Sequence, residues 1–185
     1  MGVIRTPREK WIEQGLRTLV TDGPDGVRIE ILARGLGVTK GGFYGYFAGR
    51  DALLEAMLDT WEREATDQVL EQIDAEGGDA RAKARRAGQL TFSSDRILPI
   101  DLAIRDWARR DTNVAERLRR VDNKRMQLLR EVISTLCPDP LEVEARCLLA
   151  FSAAIAAHSI AADHPAHTRD QVITRAGDLL LTPSS

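Results

Sequence analysis

Cysteine is nearly absent: Cys137 and Cys147 are the two in 185 residues, and they do not share a CxxC spacing. A disulfide-stapled fold and a paired-thiolate metal knuckle are therefore excluded. With no signal-peptide pattern at the start, the expected compartment is the reducing cytoplasm. Long hydrophobic runs are missing too. The most apolar stretch, 147–162, falls short of the roughly 20 residues a membrane span needs and is rich in Ala and Ser. It reads as a packed helix, and no membrane partner is expected. No alternation of apolar and polar residues is long enough for a strand. No paired nucleophile and base, phosphate loop, metal-ligand motif or dinucleotide fingerprint occurs, which points away from an enzyme and from a bound cofactor. His158, His164 and His167 have no Cys or carboxylates at ligand spacing beside them, so no metal site is assigned.

Charged residues make up 29% of the chain and apolar residues 43%, the balance of a globular protein rather than a disordered one. The formal net charge of -2 is unevenly spread. Residues 1–50 carry eight Lys or Arg against five Asp or Glu, leaving 18 basic and 23 acidic residues beyond them. A polyanionic partner would therefore meet the N-terminal quarter. The basic run Arg81, Lys83, Arg85 and Arg86 reads instead as a solvated helix face with acidic neighbours to pair with.

Apolar residues recur at the 3.6-residue period almost throughout, so the fold class is all-α, with about nine helices. A first helix over 7–21 carries Ile12, Leu16, Leu19 and Val20 on one face and stops at Asp22-Gly23-Pro24. A short second helix over 28–35 buries Ile29, Leu32, Ala33 and Leu36, and Gly37 supplies the left-handed residue after its end. Thr39 then caps a third helix, on which Phe43 and Phe47 stand four apart and turn into one core. One long helix is expected over 50–75, ended by Gly77-Gly78, followed by helices over 80–92 and from Pro99 to Arg110. Asn113 with Glu116 reads as a capping box for a helix to 136. Asp139, Pro140 and Glu142 open a helix to 162, and Thr168 with Gln171 opens a last one to 181.

Two short helices joined by a three- or four-residue turn containing Gly form a helix-turn-helix, and the stretch from Arg28 to Phe47 has that spacing. Its second helix would be the reader of a DNA groove. Thr39 offers a hydroxyl and Lys40 a cation at its start, Gly41 and Gly42 allow the backbone close to base edges, and Tyr44 and Tyr46 can donate to phosphates. Arg28 and Arg50 add cations at either end of the motif.

The run Leu36-Gly37-Val38-Thr39-Lys40-Gly41-Gly42-Phe43-Tyr44, then Phe47 and Arg50-Asp51-Ala52-Leu53-Leu54, resembles the N-terminal signature of the TetR family of transcriptional regulators. The residue-level match covers 7–58, and Arg105-Asp106-Trp107-Ala108-Arg109-Arg110-Asp111 resembles a run frequent in one large AcrR-like set of that family. Gly45 stands where many members carry a bulky residue, Tyr46 where His is more frequent, Arg50 where Lys is usual, and Arg28 where Ser or Thr often caps.

The resemblance implies DNA contacts from Thr39, Lys40, Tyr44 and Tyr46. It also implies a DNA-binding domain over 5–65 and a ligand-binding and dimerisation domain over 66–185, with a homodimer formed through the last two helices. A small-molecule effector would sit among the body helices, where Trp61, Phe92, Ile104, Trp107, Met126 and Phe151 are the candidate lining groups. Aromatics are only 5% of the chain and Arg96, Arg105 and Arg125 lie nearby in sequence, so apolar and anionic effectors both stay open. The expected function is a one-component repressor released from operator DNA by its effector. An activator, an effector-free regulator, and a helical binding protein or enzyme with a vestigial head are the alternatives.

Overall fold

The computed structural model describes residues 6–79, 82–83, 85–87, 90 and 94–180. Every regular element among them is helical, so the chain is all-α. In order they are α1 (Arg8–Gly26), α2 (Ile29–Gly35), a 3-10 helix (Lys40–Gly45), α3 (Arg50–Ala65), α4 (Asp67–Glu76), α5 (Ile97–Ala108), α6 (Thr112–Ile133), α7 (Pro140–Ala156) and α8 (Arg169–Leu180). The helix expected over 80–92 lies partly outside the described residues, within which 82–83, 85–87 and 90 are helical.

Two compact units arise, and they are not successive in sequence. The first takes the chain up to Asp67 together with Asp95–Arg120, and the second takes Gln68–Ser94 and everything from Val121 onward. In the first unit α1 packs on α2, α3 and α5, α3 packs on α5, and α2 packs on the 3-10 helix. Its fully buried side chains include Trp11, Leu16, Leu19, Leu32, Phe43, Leu53, Met57, Trp61 and Ile104. Helices α1 and α3 approach so closely that a Cβ at Gly15 would stand 2.5 Å from the Met57 sulfur. Arg96 bridges the same pair, donating to Glu64 at 3.0 Å and to Glu13 at 2.5 Å, and Arg117 donates to Glu55 and Asp59, each at 2.6 Å. Half-exposed pairs like these contribute at most about 1 kcal/mol each, so they set the register of α3 while the buried stripe holds it.

In the second unit one core gathers Val132, Ile133, Cys137, Val143 and Cys147, with Met126, Leu129 and Leu136 against it. Another gathers Val69, Ile73 and Ala87 with Leu90 and Leu128. Burial pushes the Cys147 thiol up from its ordinary value, as suits a packing residue. The side chains of α7 that face inward are Val143, Cys147 and Phe151, spaced i, i+4, i+8.

The helix ends show why the chain is cut where it is. Gly23, at φ 68, interrupts the helical path of α1 near the expected stop, and one further turn carries α1 on to Gly26. Gly77 and Gly78, at φ 69 and 104, follow the end of α4. Asp139 caps α7 by accepting from the Leu141 amide, with Pro140 in the first turn. The box at α8 is reciprocal: the Gln171 amide donates to the Thr168 hydroxyl at 3.2 Å, and the Thr168 amide to the Gln171 side chain at 2.9 Å.

Elsewhere the structure corrects the sequence reading. The long helix over 50–75 is broken at Thr66, at φ -128 and ψ -74. The Thr66 hydroxyl donates back to the Glu62 carbonyl at 2.7 Å and lies 3.1 Å from the Asp67 carboxylate. Thr60 makes the same back-bond inside α3 without a break, so the hydroxyl caps the interruption rather than causing it. Val20 is exposed rather than in the core stripe. Helix α7 ends at Ala156, six residues early, and Arg169 gathers the carbonyls of Ala157, Ile160 and Ala162 that leave it. Helix α6 is capped by Asp111, whose carboxylate accepts from the amides of Asn113 at 3.0 Å and Val114 at 3.2 Å. Asn113, the expected cap, is already inside the helix.

That shift is testable by paired substitutions. Asp111→Ala should lower stability by about 1 kcal/mol in urea unfolding, the usual cost of a lost N-cap, whereas Asn113→Ala should leave the midpoint nearly unchanged. The reverse order of effects would return the cap to Asn113.

Candidate nucleic-acid interface

Helix α2 closes in a Schellman turn. The Val38 amide donates to the Ala33 carbonyl at 3.0 Å and the Gly37 amide to the Arg34 carbonyl at 3.1 Å, with Gly37 at φ 65. A side chain there would strain the left-handed backbone, so glycine fixes the direction in which the chain leaves. Thr39 follows in extended conformation and makes no side-chain cap bond.

The expected third α-helix is instead a 3-10 helix of six residues, Lys40–Gly45. Three of the six are glycine, which disfavours the α form, and tighter 3-10 turns are used in short pieces. A helix this short has too little dipole to attract an anion, so its position must come from packing. Three aromatic rings supply it. Phe43 is fully buried, stacks on Phe47 at 5.1 Å and meets the fully buried Trp11 edge-on at 5.4 Å. These contacts pin the 3-10 helix to α1.

With Phe43 and Phe47 turned inward, Thr39, Lys40, Gly41 and Tyr44 are exposed, and Gly42 and Tyr46 are half-covered. Tyr44 is 60% exposed while its ring edge rests on Phe43 at 5.4 Å, so its hydroxyl is carried outward on a braced ring. A Cβ at Gly41 would meet nothing nearer than the Thr39 hydroxyl at 3.8 Å, and one at Gly42 nothing nearer than Trp11 at 3.9 Å. Neither glycine has positive φ. Nothing inside the fold demands glycine at either position, which leaves the outward face as the place where small size matters.

The remaining cations are less free. Arg50 donates to the Val27 carbonyl at 2.8 Å and to the Pro24 carbonyl at 2.5 Å, so its guanidinium holds the α1–α2 connection onto the start of α3. Arg28 is exposed at the start of α2 and donates to the Asp25 carbonyl at 3.0 Å. Lys40 is paired with Glu30 of α2 at 2.8 Å. That hydrogen bond raises the Lys40 pKa and lowers the Glu30 pKa from their ordinary values.

Sequence reasoning missed Arg8, whose guanidinium lies 5.1 Å over the Phe47 ring. A cation in the first turn of a helix opposes the helix dipole, and that misplacement was the available signal.

The candidate effector residues are divided between the units. Trp61, Ile104 and Trp107 are buried in the first, and Met126 and Phe151 belong to the second. The Trp61 indole nitrogen is buried without a hydrogen-bond partner. Phe92 lies outside the described residues. In the basic run, Lys83 pairs with Asp74, Arg86 with Glu76 and Arg85 with Asp178, while Arg81 also lies outside them. Among the described residues no group of three or more His, Cys, Asp or Glu is placed to hold a metal, and no helix is long and apolar enough to cross a membrane.

Residues 12–57 match the family model described as bacterial regulatory proteins, tetR family. The chain carries a TetR-family head. No curated protein matches the sequence. Among solved structures, the fatty acid degradation regulator FadR of Bacillus halodurans aligns with a TM-score of 0.70 at 16% identity, covering 97% of this chain and 100% of that one. FadR of Bacillus subtilis, in complex with stearoyl-CoA, aligns at 0.68 and 13% identity over 97% and 100%. AibR, in complex with isovaleryl coenzyme A and operator DNA, aligns at 0.71 and 15% identity over 95% and 98%. At such identities the likeness extends the shared fold from the TetR-type head to nearly the whole chain and says nothing of ligands. The matched residues include Thr39–Tyr46, the segment the aromatic rings anchor.

Phe43→Ala should cost about 3–5 kcal/mol, the range for deleting a buried Phe. Urea unfolding followed by tryptophan fluorescence checks this, because Trp11 lies against the lost ring. A midpoint shift equivalent to less than about 1 kcal/mol would mean that the 3-10 helix is held by something else.

Proposed function

We propose that the chain is a ligand-responsive transcriptional regulator that binds operator DNA as a homodimer, reading each half-site with the segment from Thr39 to Tyr46. The observation that carries this is the outward set of Thr39, Lys40, Gly41 and Tyr44 on a segment pinned from behind by Phe43 and Phe47. Thr39, Lys40, Tyr44 and Tyr46 contact phosphates, and Gly41 and Gly42 admit the backbone to base edges. Arg28 reaches the flanking backbone. Arg50 is a positioning residue, since its guanidinium is already committed to two carbonyls.

A second copy is required for two half-sites about 34–36 Å apart, and the exposed surface of α7 and α8 is the place for it. On α7, opposite the inward Val143, Cys147 and Phe151, the exposed residues Leu141, Ala145, Leu148 and Leu149 form a second apolar stripe. Leu141 and Leu148 are 77% and 61% exposed, and α8 buries no residue, with Leu179 59% exposed. A helix that is apolar on opposite faces needs a partner on each. The interface also accounts for the Ala-rich end of α7, where small side chains let helices approach.

In functional terms the head is 5–65 and the body 66–185. The effector is a small molecule held by the body, and its binding favours a conformation in which the reader segments no longer match the half-site spacing, which makes the protein a repressor relieved by its ligand. AibR and Bacillus subtilis FadR, which share the fold, are bound to acyl-coenzyme A molecules, and AibR also to operator DNA. Ile104 and Trp107, buried in one unit and within 66–185, are the residues to probe first. A reporter fused to the target promoter distinguishes the alternatives: deletion of the gene should raise expression, and a fall would make the protein an activator.

Two measurements test this reading. Fluorescence anisotropy with operator and scrambled DNA should show selective binding at two chains per site. Lys40→Ala and Tyr44→Ala should each weaken binding with helical content unchanged, and Lys40→Ala should also reduce the salt slope by up to about 0.9. Unchanged affinity in both variants would remove the reader assignment. Separately, Leu148→Glu should halve the mass seen in sedimentation at micromolar concentration, because a charge in an apolar interface has no partner. A native chain that already sediments as one copy would overturn the dimer.

A further inference from the structure

The cation best placed on the reader segment does not stand ready for DNA. Lys40 Nζ lies 2.8 Å from the Glu30 carboxylate, and the two side chains are 54% and 59% exposed. Glu30 sits in the first turn of α2 and Lys40 opens the 3-10 helix, ten residues on, so the Schellman turn at Gly37 is what brings them together. The contact is set by the motif's own geometry rather than by neighbours along one helix face. A paired Lys and Glu look nearly neutral from more than a few ångströms away, so the pair adds little to long-range attraction for a polyanion. The Glu30 oxygen takes one of the three Lys40 donors and balances its charge, so a phosphate oxygen draws on a cation already shared with a carboxylate that stays beside the DNA backbone.

Resting on the reading of Thr39–Tyr46 as the DNA reader, we propose that Glu30 is an internal competitor with DNA phosphate for Lys40, and that it sets the affinity and salt dependence of the head. The exchange swaps one ion pair for another and needs no movement of either helix, because both side chains are on the surface. Glu30 does this from outside the segment that touches DNA. It is a positioning residue that acts through Lys40.

The test is a double-mutant cycle on the full-length protein, read by anisotropy with operator and scrambled DNA across a salt series. Glu30→Gln should tighten binding to operator about two- to five-fold, the scale of one exposed ion pair, and steepen the salt slope. In a Lys40→Ala background the same substitution should give little gain. Glu30→Asp keeps the charge but shortens the reach, and it should tighten binding by an intermediate amount. Circular dichroism and a thermal melt check that α2 is intact; if Glu30→Gln has lost helix, the Glu30→Asp arm decides alone. Unchanged or weaker binding by the decisive variant overturns the proposal. So does a gain that persists undiminished without Lys40, which would make Glu30 a general source of repulsion. Failure of the native chain to prefer operator would defeat the DNA-reading function itself, whereas selective binding that is indifferent to Glu30 defeats only the competition.

Discussion

The contact on which the head depends is the packing of Phe43 against Trp11 and Phe47. A six-residue 3-10 helix with three glycines cannot hold its own shape in water, because short helices close too few hydrogen bonds to offset the entropy of ordering them. Burying the whole of Phe43 supplies what the backbone lacks, at about 25 cal/mol for each Å² of apolar surface removed from water. With that ring buried, Tyr44 turns outward on the flank of Phe43, and the start of the 3-10 helix brings Lys40 beside Glu30. The glycines that make the segment weak as a helix leave its outer surface flat. Local instability and functional exposure thus come from the same residues, and the aromatic anchor reconciles them.

How much of this was legible in the sequence depends on the range of the interaction. Features governed by a few adjacent residues were readable. Gly37 takes the left-handed conformation expected of it, Thr168 and Gln171 cap α8 reciprocally, Asp139 and Pro140 open α7, and Phe43 and Phe47 turn into one core. Features decided by competition between partners were not. Asp111 and Asn113 are both good caps, and only the path of the chain chooses Asp111. Thr66 lies beside a continuous apolar stripe that runs on through Val69 and Ile73, and nothing in that spacing reports the break there. The 3-10 form was unreadable because glycine content warns of weakness without naming the alternative.

The site residues divide in the same way. Thr39, Lys40, Gly41, Gly42, Tyr44 and Tyr46 were recognisable as a set because they fall within eight successive positions, and the family model covers them. Arg50 was recognisable as a cation, but its bonds to the Pro24 and Val27 carbonyls reach more than twenty positions back along the chain, and no pattern of spacing reports that. Arg8 over Phe47 and Glu30 against Lys40 are long-range in sequence as well. The candidate effector residues stay least readable for a related reason. Bulky apolar residues such as Trp61 and Ile104 carry the same signature whether they fill a core or line a cavity.

The interleaving of the two units has a consequence for how such a chain can be recombined. Residues 95–120 join the first unit although they follow the stretch 68–94 of the second, and α5 within them is a packing partner of both α1 and α3. Cutting after residue 66 would therefore not release a self-sufficient cassette. Grafting that cassette onto another body would strip α1 and α3 of the surface they rest on, unless the recipient supplied a matching α5. Variation of the exposed face is thereby steered away from swapping whole heads and toward point changes at Thr39, Lys40 and Gly41, which are exposed and make no contact with the rings beneath them.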